Sequence, residues 1–226
     1  MKRTTFFCLL AAGVPVILGF STATPEATPE TTPVAQSAMT FFLTSRGPGD
    51  GANLDGLKGG DAHCAMLAGE TGAASSLTWR AYLSTTGEDG VNAKDRIGNG
   101  PWHNANGVVV ANDVTDLHSD NNRLSKENSI SERGEVVSGR GDDINRHDII
   151  TGTTEDGTTF VGDGDSTCSN WTSSSSDGSA RVGHHDRVGG GDNGSSWNSA
   201  HGSRGCGQAD LQGTGGDGLF YCFAMR

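Results

Sequence analysis

Cysteine placement is the strongest constraint on what this chain can become. Of five cysteines, Cys8 lies inside an apolar run from Thr5 to Phe20, preceded by Lys2 and Arg3 and followed by the small residues Ser21, Thr22 and Ala23. That layout predicts a cleaved secretory signal over residues 1–23. Gly13, Pro15 and Gly19 interrupt the run, and a stable membrane span needs about 20 predominantly apolar residues. Release is therefore expected over retention as an anchor. Export removes Cys8 and leaves Cys64, Cys168, Cys206 and Cys222. An even number in an oxidising compartment implies two disulfides, with three connectivities open. No C-x-x-C pair is present, so these cysteines read as cross-links and not as zinc or redox ligands.

The rest of the chain explains why cross-links are needed. Residues 24–38, TPEATPETTPVAQSA, repeat Thr-Pro-Glu with Val34 as their one large apolar residue, and predict an extended linker or stalk. The domain is then 39–226. Glycine accounts for 35 of 226 residues, about twice the usual share of roughly 7%, while aromatics are only 6%. Such a chain is rich in loops and builds a modest core. Its net charge of −11 argues against nucleic acid or an anionic glycan as partner, because neither offers cations to an acidic surface. The expected location is secreted and extracellular, or the periplasm and cell envelope.

Short elements separated by turns follow from the pattern. Residues 39–44 (MTFFLT) read as a strand closed by Gly47-Pro48-Gly49. Residues 60–68 (GDAHCAMLA) read as a helix with Asp61 as N-cap, carrying Cys64. In LTWRAYLS, residues 77–84, Leu77, Trp79, Ala81 and Leu83 alternate with Thr78, Arg80 and Tyr82, which predicts an amphipathic strand. Residues 107–111 suggest a short buried strand, 114–117 a helical turn, and Asp156-Gly157 a hairpin turn. Residues 118–147 give no clear pattern. The run 218–224 (GLFYCFA) closes the domain as a strand carrying Cys222.

TWRAYLS, DRIG at 95–98, HDIITGTTEDGTTF, CSNWTSSSSDG, Cys206 and LFYCFA occur in an order that resembles endostatin-like domains. The chain resembles still more closely a bacterial secreted family of unassigned function with the C-type-lectin-like fold. The resemblance covers nearly all of 39–226. It implies an α+β domain with a twisted, mostly antiparallel sheet, one or two helices, long loops and two nested disulfides, Cys64–Cys222 and Cys168–Cys206.

The same resemblance directs attention to GHHDRVGGGDNGSSWNSAHGSRGC, residues 183–206. Trp197-Asn198 stands where similar lectins carry a calcium- and sugar-binding motif, although Ser199 replaces its second carboxylate and no Glu-Pro-Asn or Gln-Pro-Asp triplet accompanies it. Asp163, Asp165 and Asp192 lie in Gly-rich loops where hard oxygen ligands can converge. Calcium is the cofactor this pattern would take, with Asn198 and Asp165 as ligands; the competing reading is that Asp and Asn are simply good turn formers. Trp197 is the candidate apolar platform for a sugar ring and Asn198 its hydrogen-bonding partner. The competing role for Trp197 is a core residue anchoring the loop. Zinc would require His184 and Asp186, which share a face in an extended segment, to be joined by His201 or His147. The preferred expectation is that these histidines are polar surface residues.

Catalysis finds little support. No G-x-S-x-G elbow occurs, and bridged cysteines are not nucleophiles. Arg140-Gly141-Asp142 and the sequons at Asn170 and Asn193 are short enough to arise by chance. The expectation is a secreted non-catalytic recognition domain binding carbohydrate through the loop region 163–206. Its alternative is a structural or adhesive envelope or matrix protein that binds other proteins.

Overall fold

The computed structural model describes residue 1 and residues 39–73, 76–162, 164–190 and 193–225. The expected signal and linker, Asp163 and Asp192 lie outside the described residues. Among the described residues the chain forms an α+β domain of three short antiparallel sheets, one 15-residue α-helix and three shorter ones. The sequence had suggested one sheet with one or two helices.

The first sheet joins β1 (Phe41–Leu43), β2 (Trp79–Ala81) and β8 (Tyr221–Ala224) in the order β1-β8-β2. The register pairs Phe41 with Phe223 and Ala81 with Cys222. Successive side chains in a strand point to opposite faces, and here both faces are covered. Phe42, Ala81 and Cys222 enter one apolar cluster with Leu67 and Trp171; Phe41, Tyr221 and Phe223 enter a second with Trp102 and Trp197. Two-sided burial explains why FFL and YCFA are uninterrupted apolar runs. It also explains why Tyr82, expected on the polar face, is fully buried against Trp197 and Phe223.

Helix α1 (Gly56–Glu70) buries Gly60, Cys64, Leu67 and Ala68, the spacing of one helical face. It begins earlier than its sequence suggested. Asp55 occupies the N-cap position, while Asp61 accepts hydrogen bonds from Ala81 N, Arg80 and Arg96, all at 2.9 Å, and so ties the helix to β2.

Strands β3 (Trp102–His103) and β4 (Val109–Ala111) pair, followed by the short helix α2 (Val114–Leu117). The third sheet contains β5 (Asp148–Ile150), β6 (Arg181–His184) and β7 (His201–Gly202). After β5, Thr153 pairs with Thr159 across the Asp156-Gly157 turn, which is the expected hairpin. Glycine is required at 183 by close approach: a Cβ there would lie 2.0 Å from the Trp197 carbonyl oxygen. The loop before β7 can therefore lie directly on β6.

Both disulfides form as the resemblance implied, Cys64–Cys222 and Cys168–Cys206, each with Cα atoms 5.6 Å apart. Their sequence separations are 158 and 38. On the chain-entropy model these loops contribute about 5 and about 4 kcal/mol. Cys168 begins a four-residue turn, α3 (Cys168–Trp171), and Cys206 precedes α4 (Gln208–Thr214). Among the described residues, no helix is long and apolar enough to cross a membrane.

Candidate metal centre

The register of the third sheet gathers residues that lie far apart in sequence. Asp148 pairs with His184 across β5–β6, and Val182 pairs with His201 across β6–β7. Paired residues, and residues two apart along a strand, share a face, so Asp148, His184 and His201 lie on one side of the sheet. His147 joins them from the residue before β5. Asp148 Oδ1 lies 3.2 Å from His147 Nε2, 3.2 Å from His184 Nε2 and 3.6 Å from His201 Nε2. His184 Nε2 and His201 Nε2 are 3.0 Å apart, and the His147 and His184 rings stack with centroids 4.2 Å apart.

The other ring nitrogens fix the protonation pattern. His184 Nδ1 lies 2.7 Å from the Gly194 carbonyl oxygen, and His201 Nδ1 lies 3.1 Å from that of Gly202. A carbonyl only accepts, so both Nδ1 atoms donate. His147 Nδ1 lies 3.3 Å from Asp186 Oδ1 and donates to that carboxylate. In the neutral imidazoles all three Nε2 atoms therefore carry lone pairs; those of His147 and His184 lie on stacked rings beside the Asp148 carboxylate, and that of His201 meets His184 Nε2. Neither Asp148 oxygen accepts a well-aligned hydrogen bond among the described residues, although Asp148 is only 2% exposed. Such an arrangement calls for positive charge at its centre, a proton on one Nε2 or a bound cation, because an unpaired buried carboxylate is costly.

Distances and donor types identify the ion this cluster fits. Bonds of about 2.0–2.1 Å in a tetrahedral shell put ligand atoms about 3.3–3.4 Å from one another; Asp148 Oδ1 lies 3.2 Å from both His147 Nε2 and His184 Nε2, and among the described residues these three form the group whose ligand atoms all lie within 4.8 Å of one another, with His201 beside it. Two imidazoles and one carboxylate suit zinc and neighbouring divalent transition metals, whereas calcium takes a shell of oxygens. Nδ1 donation to carbonyls and a carboxylate is also the outer arrangement that orients metal-binding histidines.

Asp186 anchors that outer layer. Its Oδ1 accepts from His147 and from the Val188 N–H, and its Oδ2 accepts from the Arg140 N–H at 2.7 Å. Burial pushes this carboxyl upward, but the three donors hold it well below the usual carboxylate range. Burial likewise works to lower the His184 imidazole, yet close contact with Asp148 and the Gly194 carbonyl keeps it above its ordinary value. The centre favours positive charge.

The expectation of surface histidines is overturned. His147, His184 and His185 are 4%, 2% and 0% exposed. The glycines around them are the reason: a Cβ at Gly189 would lie 2.5 Å from both the His184 ring and the Gly194 carbonyl. Only glycine lets the loop fold closely enough to bring that carbonyl to Nδ1. The strand ends at His184 and the chain turns at 185–186, so Asp186 meets His147 instead of sharing a strand face with His184, and His185 turns its Nε2 toward the Ser138 carbonyl. Asp148 was not anticipated as a ligand. Its adjacency to His147 was the available signal, but its match with His184 depends on strand register.

The residues expected to bind ligand are placed differently. Trp197 is 4% exposed and packs on Tyr82 and Tyr221, which favours the core role. Asn198 is 1% exposed; its amide donates to Tyr82 Oη and to the Thr154 and Glu155 carbonyls, while its oxygen accepts from Ser196. Asp165 accepts from the Thr167 and Ser169 N–H groups, just ahead of Thr167, the N-cap of α3. Among the described residues, no hydrogen bond joins Asn198 to Asp165, and the two share no hydrogen-bond partner. The edges of Trp197 and Asn198 nevertheless border a polar cleft of about 220 Å³, together with Asp120, Asn122, Glu155 and Arg187. In the Arg-Gly-Asp tripeptide, the Asp142 carboxylate is engaged by Lys126 and by the Gly139 N–H. The Asn170 amide both donates to and accepts from the Thr86 backbone. Compared with known protein families and with curated proteins, the sequence matches none.

Proposed function

We propose that this chain is an exported, non-catalytic recognition domain of C-type-lectin-like, endostatin-like architecture, organised by a zinc centre at His147, Asp148 and His184 with His201 beside it. One observation carries the metal reading: His147 Nε2 and His184 Nε2 both lie 3.2 Å from a buried Asp148 carboxylate oxygen, and the three groups lie within 4.8 Å of one another. The architecture is supported by the pairing of β1 with β8 and by the two nested disulfides.

The ion's role follows from what it joins. His184 and His201 bracket the loop 185–200, and that loop supplies Arg187, Asn193, Ser195 and Ser196 to one wall of the polar cleft. Asp120, Asn122 and Glu155 belong to the remainder of its lining. A hydroxyl-rich ligand such as a carbohydrate suits these mixed donors and acceptors, and fixing the loop pre-organises them.

The test is a zinc titration of chelator-stripped full chain by calorimetry, followed by a glycan array with and without the metal. One zinc per chain, unaffected by excess calcium and lost in His184→Ala, is expected. Array retention should disappear with a zinc chelator and return with zinc. Failure to bind zinc refutes the centre. Retention that ignores chelation separates recognition from the metal.

A further inference from the structure

We infer that the cavity against this centre binds a small oxyanion, a carboxylate or phosphate group held between the ion and the Arg140 guanidinium; the inference rests on the metal reading above. The cavity measures about 320 Å³ and is lined by His147, His184 and His201 together with Arg140, Asn145 and Thr214. Asp148 does not border it. The three imidazoles therefore form one wall, and the carboxylate lies behind them. The exposed member is His201, whose side chain is 41% accessible. An ion held by His147, Asp148 and His184 would keep its fourth tetrahedral position for a ligand entering from the cavity, and the volume is at the lower end of ligand cavities, roughly 300–1,000 Å³. That size fits a small molecule or the terminal group of a larger one.

Charge selects the ligand class. Arg46, Arg80, Arg96, Arg133 and Arg146 each meet a carboxylate. The exposed Arg140 side chain makes no ion pair or hydrogen bond among the described residues. Its backbone is fixed nonetheless: the Arg140 N–H donates to Asp186, the carboxylate that also receives His147 Nδ1. An unpaired guanidinium is thus anchored through the outer layer of the metal centre, in a protein whose net charge is −11. The planar guanidinium fork matches two oxygens of a carboxylate or phosphate. A neutral sugar hydroxyl would use neither positive charge.

Full chain loaded with cobalt(II) tests this, because the visible bands of cobalt report its coordination. Acetate and phosphate are titrated separately at constant ionic strength, into wild type and Arg140→Gln. The expected result is one cobalt per chain, a saturable band change with at least one of the two anions, and roughly tenfold weaker anion binding in Arg140→Gln with cobalt stoichiometry unchanged. The stronger anion identifies the group. Bands indifferent to both anions overturn the oxyanion site and leave the metal centre standing. An anion response unchanged in Arg140→Gln overturns the two-point site. Failure to bind cobalt or zinc removes the metal reading itself.

Discussion

Cys168 and Cys206 are joined covalently inside an apolar cluster shared with Trp171 and Leu211, whereas His184 and His201, 17 residues apart within the same segment, meet as lone pairs beside a carboxylate. The outer hold is made once by oxidation and constrains the unfolded chain as well. The inner hold acts on the folded state alone and scales with the free concentration of the ion. One segment therefore has a permanent frame and a conditional interior. Trp197 adds a third hold, purely apolar, between the two.

Removing the covalent frame is expected to cost most. Replacing Cys64 and Cys222 by Ala should lower unfolding free energy by about 5 kcal/mol, and replacing Cys168 and Cys206 by about 4, measured by urea denaturation. A smaller loss for the second pair in zinc than in chelator would show that the inner hold compensates for the outer one. Next comes the ion. At a thousandfold excess over its dissociation constant, zinc should stabilise the chain by about 4 kcal/mol, and this increment should vanish in Asp148→Asn with His184→Ala. Thermal melts with and without chelator read it directly; equal melts would break the comparison.

Trp197→Ala should cost about 3 kcal/mol through the cavity it leaves, with zinc affinity little changed. A stable variant that loses only glycan retention would restore Trp197 to the role of a sugar platform. Last comes Asp186→Asn. Zinc affinity should fall roughly 10- to 100-fold through loosened orientation of His147, and chelator-stripped stability should fall by about 1–3 kcal/mol because one buried donor loses its acceptor.

These holds differ in how far the sequence exposes them. Cysteine number and the signal-like N-terminus point to two cross-links and leave three connectivities open; the nested pairing was implied only by the resemblance to endostatin-like domains. Strands β1 and β8 were legible because apolar runs need little context. Strands β6 and β7 were not: RVGH and HG show no apolar alternation, and they pair because Ile149, Ile150 and the loop around Trp197 lie against them. For the same reason His147, His184 and His201 could be named as metal candidates while Asp148 escaped notice. Register across strands decides which residues meet, and no local pattern encodes it. Asp61 shows the same limit in a helix. Its position suggested a cap, but tertiary contact with Arg80 and Arg96 determined its partners.

The position of β8 has a consequence for the order of folding. It lies between β1 and β2, pairing with both along Phe41↔Phe223 and Ala81↔Cys222. Neither earlier strand can complete its hydrogen bonding until residues 221–224 have been synthesised, about 140 or more residues after β2, so this sheet forms late. Phe41, Phe42 and Trp79 remain without their native cover throughout that interval. Pairings of such long range form slowly and leave apolar surface open to aggregation. The segments that should shield this chain most effectively during synthesis are therefore the ones around its earliest strand, which must wait longest for its partner.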